Sequence, residues 1–247
     1  MKSIIIIPSR LQAVRLPRKP LALLAGEPMV LHVWRRAMES GAGDVVVACC
    51  SAEIKDVIEA ASGTALITDP ALPTGTDRVV AALKMAEAQG KNYDFVVNLQ
   101  GDLPAVNPAF IAKALERLKA HPEFDIMTLV APMTDPEDIQ NPNIVKAVVS
   151  QKTPKDAFGN ALYFSRSAIP HGATVYYHHI GIYVFRKSAL EAFVKAPPSL
   201  LEGQERLEQL RALEMGLKIG AEIVDDIPQS VDVPEDLAKA EAGLKHR

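Results

Sequence analysis

The chain has 247 residues, 48% of them hydrophobic, and a formal net charge of −3. This length and apolar content suit one large α/β unit, and the mildly acidic balance excludes the broad basic face of a nucleic-acid binder. The opening apolar run, Ile4 to Ile7, ends at Pro8, too short for a signal core or a membrane span. A soluble, cytoplasmic protein without membrane insertion is expected.

The first element is a strand over residues 3–7. The loop behind it, 8–20, carries Arg10, Arg15, Arg18 and Lys19 and no anion. In an α/β chain this loop opens at the carboxyl edge of the sheet, where guanidinium forks and an ammonium suit a polyphosphate. It is equally a solvated basic loop stiffened by prolines. Helical periodicity follows over 29–38, where Met29, Val30, Val33, Trp34, Ala37 and Met38 share a face, so Trp34 is expected in the core. Strands over 44–50, 65–68 and 95–99 alternate with helices over 52–61, 76–88 and 108–119. Strands apolar at nearly every position predict a parallel sheet covered on both faces. Cys49 and Cys50 are the sole cysteines and adjacent in a strand, so no structural disulfide or Cys-x-x-Cys zinc site forms, and both are expected as buried apolar thiols.

The second half changes character. Strand-like segments 126–131, 147–150, 161–164 and 180–185 are separated by Pro-, Asn- and Gly-rich loops with little helix, which predicts a smaller mixed or antiparallel extension. Helices over 187–195 and roughly 205–215 precede a strand over 219–225 and a last helix opening at Pro234. The fold class is α/β: a Rossmann-like, mostly parallel central sheet with helices on both faces, plus that extension.

Several segments carry groups suited to chemistry. Asn98-Leu-Gln-Gly-Asp102 follows an apolar strand, so Asp102 reaches the same sheet edge as the cationic loop, where a carboxylate beside phosphates acts through Mg²⁺. A turn aspartate bonding its own backbone is the alternative. Asp232, in Val231-Asp-Val-Pro-Glu-Asp236, supplies a second carboxylate or serves the following helix, whose dipole accounts for Glu235 and Asp236. In Pro73-Thr-Gly-Thr-Asp-Arg78, Thr76 or a neighbour caps the next helix; alternatively the exposed N–H groups and Arg78 read a nucleobase or phosphate. His178 and His179 point to opposite faces of a strand, so one can face a pocket. Glu205 with Gln209, and Gln204 with Glu208, stand four apart on the expected helix and offer hydrogen bonds to a polyhydroxyl ligand or to water. No Gly-x-Gly-x-x-Gly follows the first strand, and neither a Walker loop nor a Gly-x-Ser-x-Gly elbow occurs, so the usual marks of nicotinamide dehydrogenases, P-loop kinases and acyl hydrolases are missing.

Together these pieces resemble the sugar nucleotidyltransferases, most closely the branch that activates 3-deoxy-manno-octulosonate (Kdo) with cytidine nucleotide. The resemblance spans nearly the whole chain: Ile7-Pro-Ser-Arg10 with Arg15-Leu-Pro-Arg-Lys-Pro20, Thr74-Gly-Thr-Asp-Arg78, Asn98-Leu-Gln-Gly-Asp102, Asn141-Pro-Asn-Ile-Val-Lys146, the run 161–170 containing Tyr-Phe-Ser-Arg166, His179-Ile-Gly-Ile-Tyr183, Leu207-Glu-Gln-Leu-Arg211 and the run 231–237. It implies that Arg10, Arg15 and Lys19 hold the CTP phosphates and that Thr74, Gly75 and Arg78 surround the cytidine. Asp102 and Asp232 would be the Mg²⁺ ligands, which makes Arg10, Lys19, Asp102 and Asp232 the catalytic set. Gln100, Arg166, His179, Tyr183, Glu208 and Gln209 would contact the sugar. The implied reaction is attack of the anomeric hydroxyl of Kdo on the α-phosphorus of CTP, giving CMP-Kdo for lipopolysaccharide synthesis and pyrophosphate.

The resemblance also implies one nucleotidyltransferase domain over 1–247, with 1–125 mainly binding CTP and 126–247 mainly binding sugar and forming a homodimer. Alternatives are a cytidylyltransferase for another acidic sugar, 8-amino-Kdo or sialic-acid-like, and a non-catalytic nucleotide-binding regulator. A metal-dependent glycosyltransferase is disfavoured because Asp102-Leu-Pro lacks an Asp-x-Asp pair. The chain departs from the family pattern at Arg18, where Gly is usual, at Leu103, at Cys49-Cys50 in place of Thr-Asp, and in a short 171–177 segment.

Overall fold

Ile4, Ile5, Ile6 and Ile7 have no exposed surface, which requires strand β1 (Ser3–Ser9) to be covered on both faces. The computed structural model describes residues 1–12, 15–153 and 155–245, which divide into the units Met1–Ala112 with Pro228–Arg247, and Lys113–Ile227. In the first unit β1 leads through a single 3₁₀ turn at Lys19–Leu21 and a two-rung hairpin, β2 (Leu23–Leu24) and β3 (Glu27–Pro28). Then come α1 (Met29–Glu39), β4 (Asp44–Cys49), α2 (Ala52–Ala60), β5 (Thr64–Ile67), α3 (Gly75–Glu87), β6 (Phe95–Leu99) and α4 (Pro108–Ala120). The unit boundary falls within α4.

The strands of this unit lie in the order β5-β4-β1-β6, all parallel. The chain builds outward from β1 to β4 and β5, then returns to lay β6 on the other side of β1. That reversal makes the carboxyl ends of β1 and β6 a topological switch point, the place where open α/β sheets bind ligands. Cys49 is buried, its thiol pushed up by desolvation, while Cys50 is only half-buried, so just one of the two thiols matches the expected state. Trp34 likewise sits at the edge of the core, half-buried, its ring so close to Gly63 that a Cβ there would lie 2.9 Å from Cε2.

The second unit contains β7 (Ile126–Met133), the short helix α5 (Pro136–Gln140), β8 (Lys146–Ser150), β9 (Phe158–Ser165), β10 (Tyr176–Arg186), α6 (Lys187–Lys195), α7 (Leu200–Glu205), α8 (Gln209–Glu214) and β11 (Ile219–Ile223). Its order is β10-β7-β11-β9-β8, and β10 also pairs with β8, so the strands close on themselves as a small barrel. Among the described residues of this unit only β7 and β11 run parallel; the other pairings are antiparallel. The helix expected over 205–215 is two helices. A Ser199–Glu202 capping box opens α7, and Arg206 ends it in the left-handed region at φ 56°. Glu205 and Gln209 therefore do not share a helix face, and neither do Gln204 and Glu208.

Residues beyond Pro228 return to the first unit. There α9 (Pro234–Lys245) packs Ala240, with Leu237 and Leu244, against Leu16, Leu24, Met29 and Val231. The architecture is the expected Rossmann-like α/β class with a mixed extension. Among the described residues no helix is long and apolar enough to cross a membrane.

Candidate active site

A cavity of about 370 Å³ opens at the switch point between β1 and β6. Its walls include Arg10, Arg15, Lys19, Gln100, Asp102 and Asp232. The floor is narrow because Gly101 brings the end of β6 against β1: a Cβ at 101 would lie 3.0 Å from the Pro8 carbonyl oxygen. Ser9, also on the floor, is 3% exposed, and its hydroxyl has no hydrogen-bond partner among the described residues. Beside them Gly75 leaves room, since a Cβ there would reach ordinary contact with Pro8 Cγ at 3.6 Å and Gln100 Oε1 at 4.0 Å.

The cationic loop is held at its base. The Arg18 amide donates to the Leu11 carbonyl at 3.2 Å, and Leu16 inserts into the cluster of Leu24, Met29 and Val231. This pinning aims Arg15 and Lys19 at the cavity. Arg18 is a correction to the expected anion trap. It sits in the left-handed region (φ 57°), turns away from the cavity and forms a two-pronged ion pair with Glu53 of α2. A left-handed backbone of this kind favours Gly, so the Arg here is held against its own conformational preference. Leu103, another departure, is buried beside Asp102 and takes no part in the cavity wall.

The two aspartates meet despite their distance in sequence. The Val231 amide donates to the Asp102 carbonyl at 2.9 Å, fastening the segment before α9 to the segment after β6. Lys19 Nζ then donates to Asp102 Oδ2 at 3.2 Å and to Asp232 Oδ1 at 2.9 Å, and Arg15 lies 3.4 Å from Asp232 Oδ2. Helix-dipole reasoning accounts for Asp236 by itself, yet its carboxylate also accepts from the amides of Asp232 at 2.9 Å and Val233 at 3.1 Å. This i→i+4 return from the first turn of α9 fixes the backbone that carries Asp232. An acidic residue four positions after a candidate ligand was the available signal.

Thr74, not Thr76, caps α3. Its hydroxyl accepts from the Asp77 amide at 3.1 Å and donates to Asp77 Oδ2 at 2.8 Å, while Thr76 is buried. Arg78 is 2% exposed, and its guanidinium donates to the Thr68 hydroxyl and, at 3.3 Å, to the Asp69 carbonyl. Arg78 thus clamps the loop that follows β5, and its side chain lies inside the protein. Gln100 lines the cavity and reaches Asn98 Oδ1 at 3.4 Å.

The remaining predicted site residues lie in the second unit. His179 and Tyr183 stand on β10 with ring centroids 5.4 Å apart, separated by an irregularity in register. Burial pushes the His179 pKa down to about 3, so the ring is neutral. Thr128 gives its one hydroxyl proton to the Ile182 carbonyl at 2.8 Å, and so accepts from His179 Nε2–H at 3.0 Å. Burial, then the nearby Glu208 carboxylate, raises the Tyr183 phenol well above its ordinary value. Gln209, the first residue of α8, is buried. Arg166 is braced rather than loose: Nε donates to the Glu205 carbonyl at 2.9 Å and Nη1 to the Pro142 carbonyl at 3.0 Å, while the Glu205 carboxylate takes the Arg166 amide at 3.0 Å and the Ser165 hydroxyl at 2.6 Å. Lys146, fully buried, supports the same loop by donating to the carbonyls of Asn141 at 2.8 Å and Ile144 at 2.7 Å.

A Rossmann-like unit whose switch point gathers cations and a carboxylate pair defines a nucleotidyltransferase, and the cytidylyltransferase family model matches residues 4–219. The chain is 50% identical to a 3-deoxy-manno-octulosonate cytidylyltransferase of Paramagnetospirillum magneticum over 98% of this chain and 97% of that protein. It is 48% identical to one of Rhodospirillum rubrum over 98% and 95%. The chain belongs to the 3-deoxy-manno-octulosonate cytidylyltransferase family. Its fold is similar to the solved structure of CMP:2-keto-3-deoxy-manno-octonic acid synthetase complexed with CTP, with a TM-score of 0.89 and 33% identity over 100% of this chain and 99% of that one. A cytidylyltransferase of Leptospira borgpetersenii shares the fold at 15% identity and a TM-score of 0.62.

Proposed function

We propose that this chain transfers CMP from CTP to the anomeric hydroxyl of Kdo, forming CMP-Kdo for lipopolysaccharide biosynthesis and releasing pyrophosphate. The observation that carries the site assignment is the meeting of Asp102 and Asp232 at one cation, Lys19, within a cavity also walled by Arg10 and Arg15. Two hard carboxylate oxygens already satisfied by a cation suit a divalent metal that takes its other ligands from phosphate and water. Mg²⁺ fits, and Asp102 and Asp232 would hold it. When bound, it would neutralise phosphate charge and lower the pKa of a coordinated hydroxyl.

The chain's own groups account for the remaining requirements. Arg10, Arg15 and Lys19 offer positive charge to the triphosphate and to the departing pyrophosphate. The space beside Gly75 and the capped start of α3 receive the cytidine, with Arg78 acting through the Thr68–Asp69 loop it clamps. Gln100, a wall of the cavity, stands beside that space, its Oε1 4.0 Å from where a Cβ at Gly75 would lie. In the second unit, Arg166 supplies a cation for the sugar carboxylate, and neutral His179, Tyr183, Glu208 and Gln209 supply hydrogen bonds to hydroxyls.

The first unit is thus the nucleotide-binding part and the second the sugar-binding part of one enzyme. A cytoplasmic homodimer joined through the second unit completes the reading, supported by the exposed apolar side chains of Leu162 and Leu200. The deciding experiment is a pyrophosphate-release assay with CTP and Kdo, with and without a chelator. Release requires both substrates and Mg²⁺; release without Kdo, or none with both substrates present, rejects the proposal.

A further inference from the structure

Lys19 lies where the carboxylate pair would otherwise hold a metal. Its side chain is only 16% exposed, its ammonium is within hydrogen-bonding reach of both aspartates, and Arg15 adds a second positive charge at Asp232. Two negative charges therefore face two positive ones. A divalent ion arriving at this pair meets an ammonium already in place and a site with no net attraction for it. The triphosphate of CTP changes that balance, because its oxygens offer Lys19 and Arg15 anionic partners within the same cavity.

We infer that Lys19 and the divalent ion are alternative occupants of the Asp102–Asp232 pair, and that bound nucleotide draws Lys19 off the pair to admit the metal. Lys19 then has two successive roles, counter-ion to the aspartates in the free protein and phosphate ligand in the loaded one. The consequence is coupling between metal and nucleotide binding. The free protein takes up divalent ions poorly, which keeps the pair from being filled in an order unsuited to CTP. This inference rests on the metal assignment proposed above.

The test measures Mn²⁺ binding to the nucleotide-free protein by electron paramagnetic resonance of the free ion, without any turnover. Replacing Lys19→Met, or Lys19→Gln as a second variant, removes the resident charge but leaves both carboxylates. Either variant, shown to be folded by its melting transition, should bind Mn²⁺ about tenfold or more tightly than the wild type. Adding Asp102→Asn to the Lys19→Met variant should abolish the gain. If the Lys19 variants bind Mn²⁺ no more tightly than wild type while Asp102→Asn weakens Mn²⁺ binding in the presence of CTP, the exchange is overturned and the metal site stands. If Asp102→Asn alters Mn²⁺ binding in neither form, the metal assignment falls and the exchange with it.

Discussion

The amide of Val231 donates to the carbonyl of Asp102 at 2.9 Å, and this one backbone bond sets the two aspartates side by side. Each carboxylate then meets Lys19 independently, so neither needs the other to be positioned. Asp102→Asn and Asp232→Asn should each retain the fold and lower kcat by roughly two orders of magnitude or more, the scale for removing one preorganised electrostatic group. Steady-state pyrophosphate release measures this, and unchanged turnover in either variant removes that residue from the catalytic set.

The parts of this arrangement legible in sequence are those written in local pattern. Consecutive isoleucines, a hydroxyl-bearing turn over 73–78 before an apolar-periodic run, and Pro234 at a helix start all speak within a few residues. The parallel half was accordingly readable almost element by element. Where the outcome hangs on a single residue's backbone, periodicity is silent. Arg206 enters the left-handed region with no Gly or Pro to mark it, and one expected helix becomes two. Arg18 counts as a pocket cation in sequence, yet its left-handed backbone sends it to Glu53. Closure of the second unit's strands through β10 and β8 is a long-range pairing that strand patterns do not encode.

Asp236 is the support most open to test. Its carboxylate takes the amides of Asp232 and Val233, so Asp236→Ala frees the backbone that aims Asp232. Loss of such a cap costs about 1 kcal/mol of stability. The expected kinetic signature is a higher Mg²⁺ requirement with kcat partly restored at saturating Mg²⁺, while Asp236→Asn, which retains an acceptor oxygen, restores most of both. A stability loss without any change in Mg²⁺ dependence would reduce Asp236 to a helix cap.

Ser9 carries a hydroxyl buried on the cavity floor with no partner among the described residues. An unsatisfied buried polar group costs about 1–3 kcal/mol. Ser9→Ala should therefore raise the melting temperature of the free protein and weaken CTP binding, measured calorimetrically, if bound nucleotide is what satisfies the hydroxyl. Equal CTP affinity in the two proteins would show that the hydroxyl never meets the ligand.

Arg18 occupies backbone that favours glycine, at an energetic cost of about 1–2 kcal/mol for a side-chain-bearing residue. Its pair with Glu53 is exposed to solvent, which screens it, and offsets only part of that cost. Glu53→Gln alone should lower stability slightly, and Arg18→Gly added to it should raise the melting temperature by about 2–4 °C. A fall on adding Arg18→Gly would mean that the side chain, not the backbone, dominates at this position.

His179 ties stability to pH. Its folded pKa of about 3 lies below the ordinary 6.5 because burial disfavours the charged ring. As pH drops below 6.5 the unfolded chain takes up a proton that the native state refuses until about pH 3. The stabilisation from this residue is thus complete above pH 6.5 and is lost progressively between 6.5 and about 3, at up to about 1.4 kcal/mol per pH unit. His179→Gln keeps a side-chain N–H for Thr128 and removes the titration. Between pH 7 and pH 5 the wild type should lose about 2 kcal/mol more than this variant in urea unfolding. His178, whose pKa burial also lowers, remains in both proteins and cancels from the difference. Identical losses in the two proteins would mean that the native ring takes up its proton near the ordinary 6.5, so that burial does not hold His179 neutral below that pH.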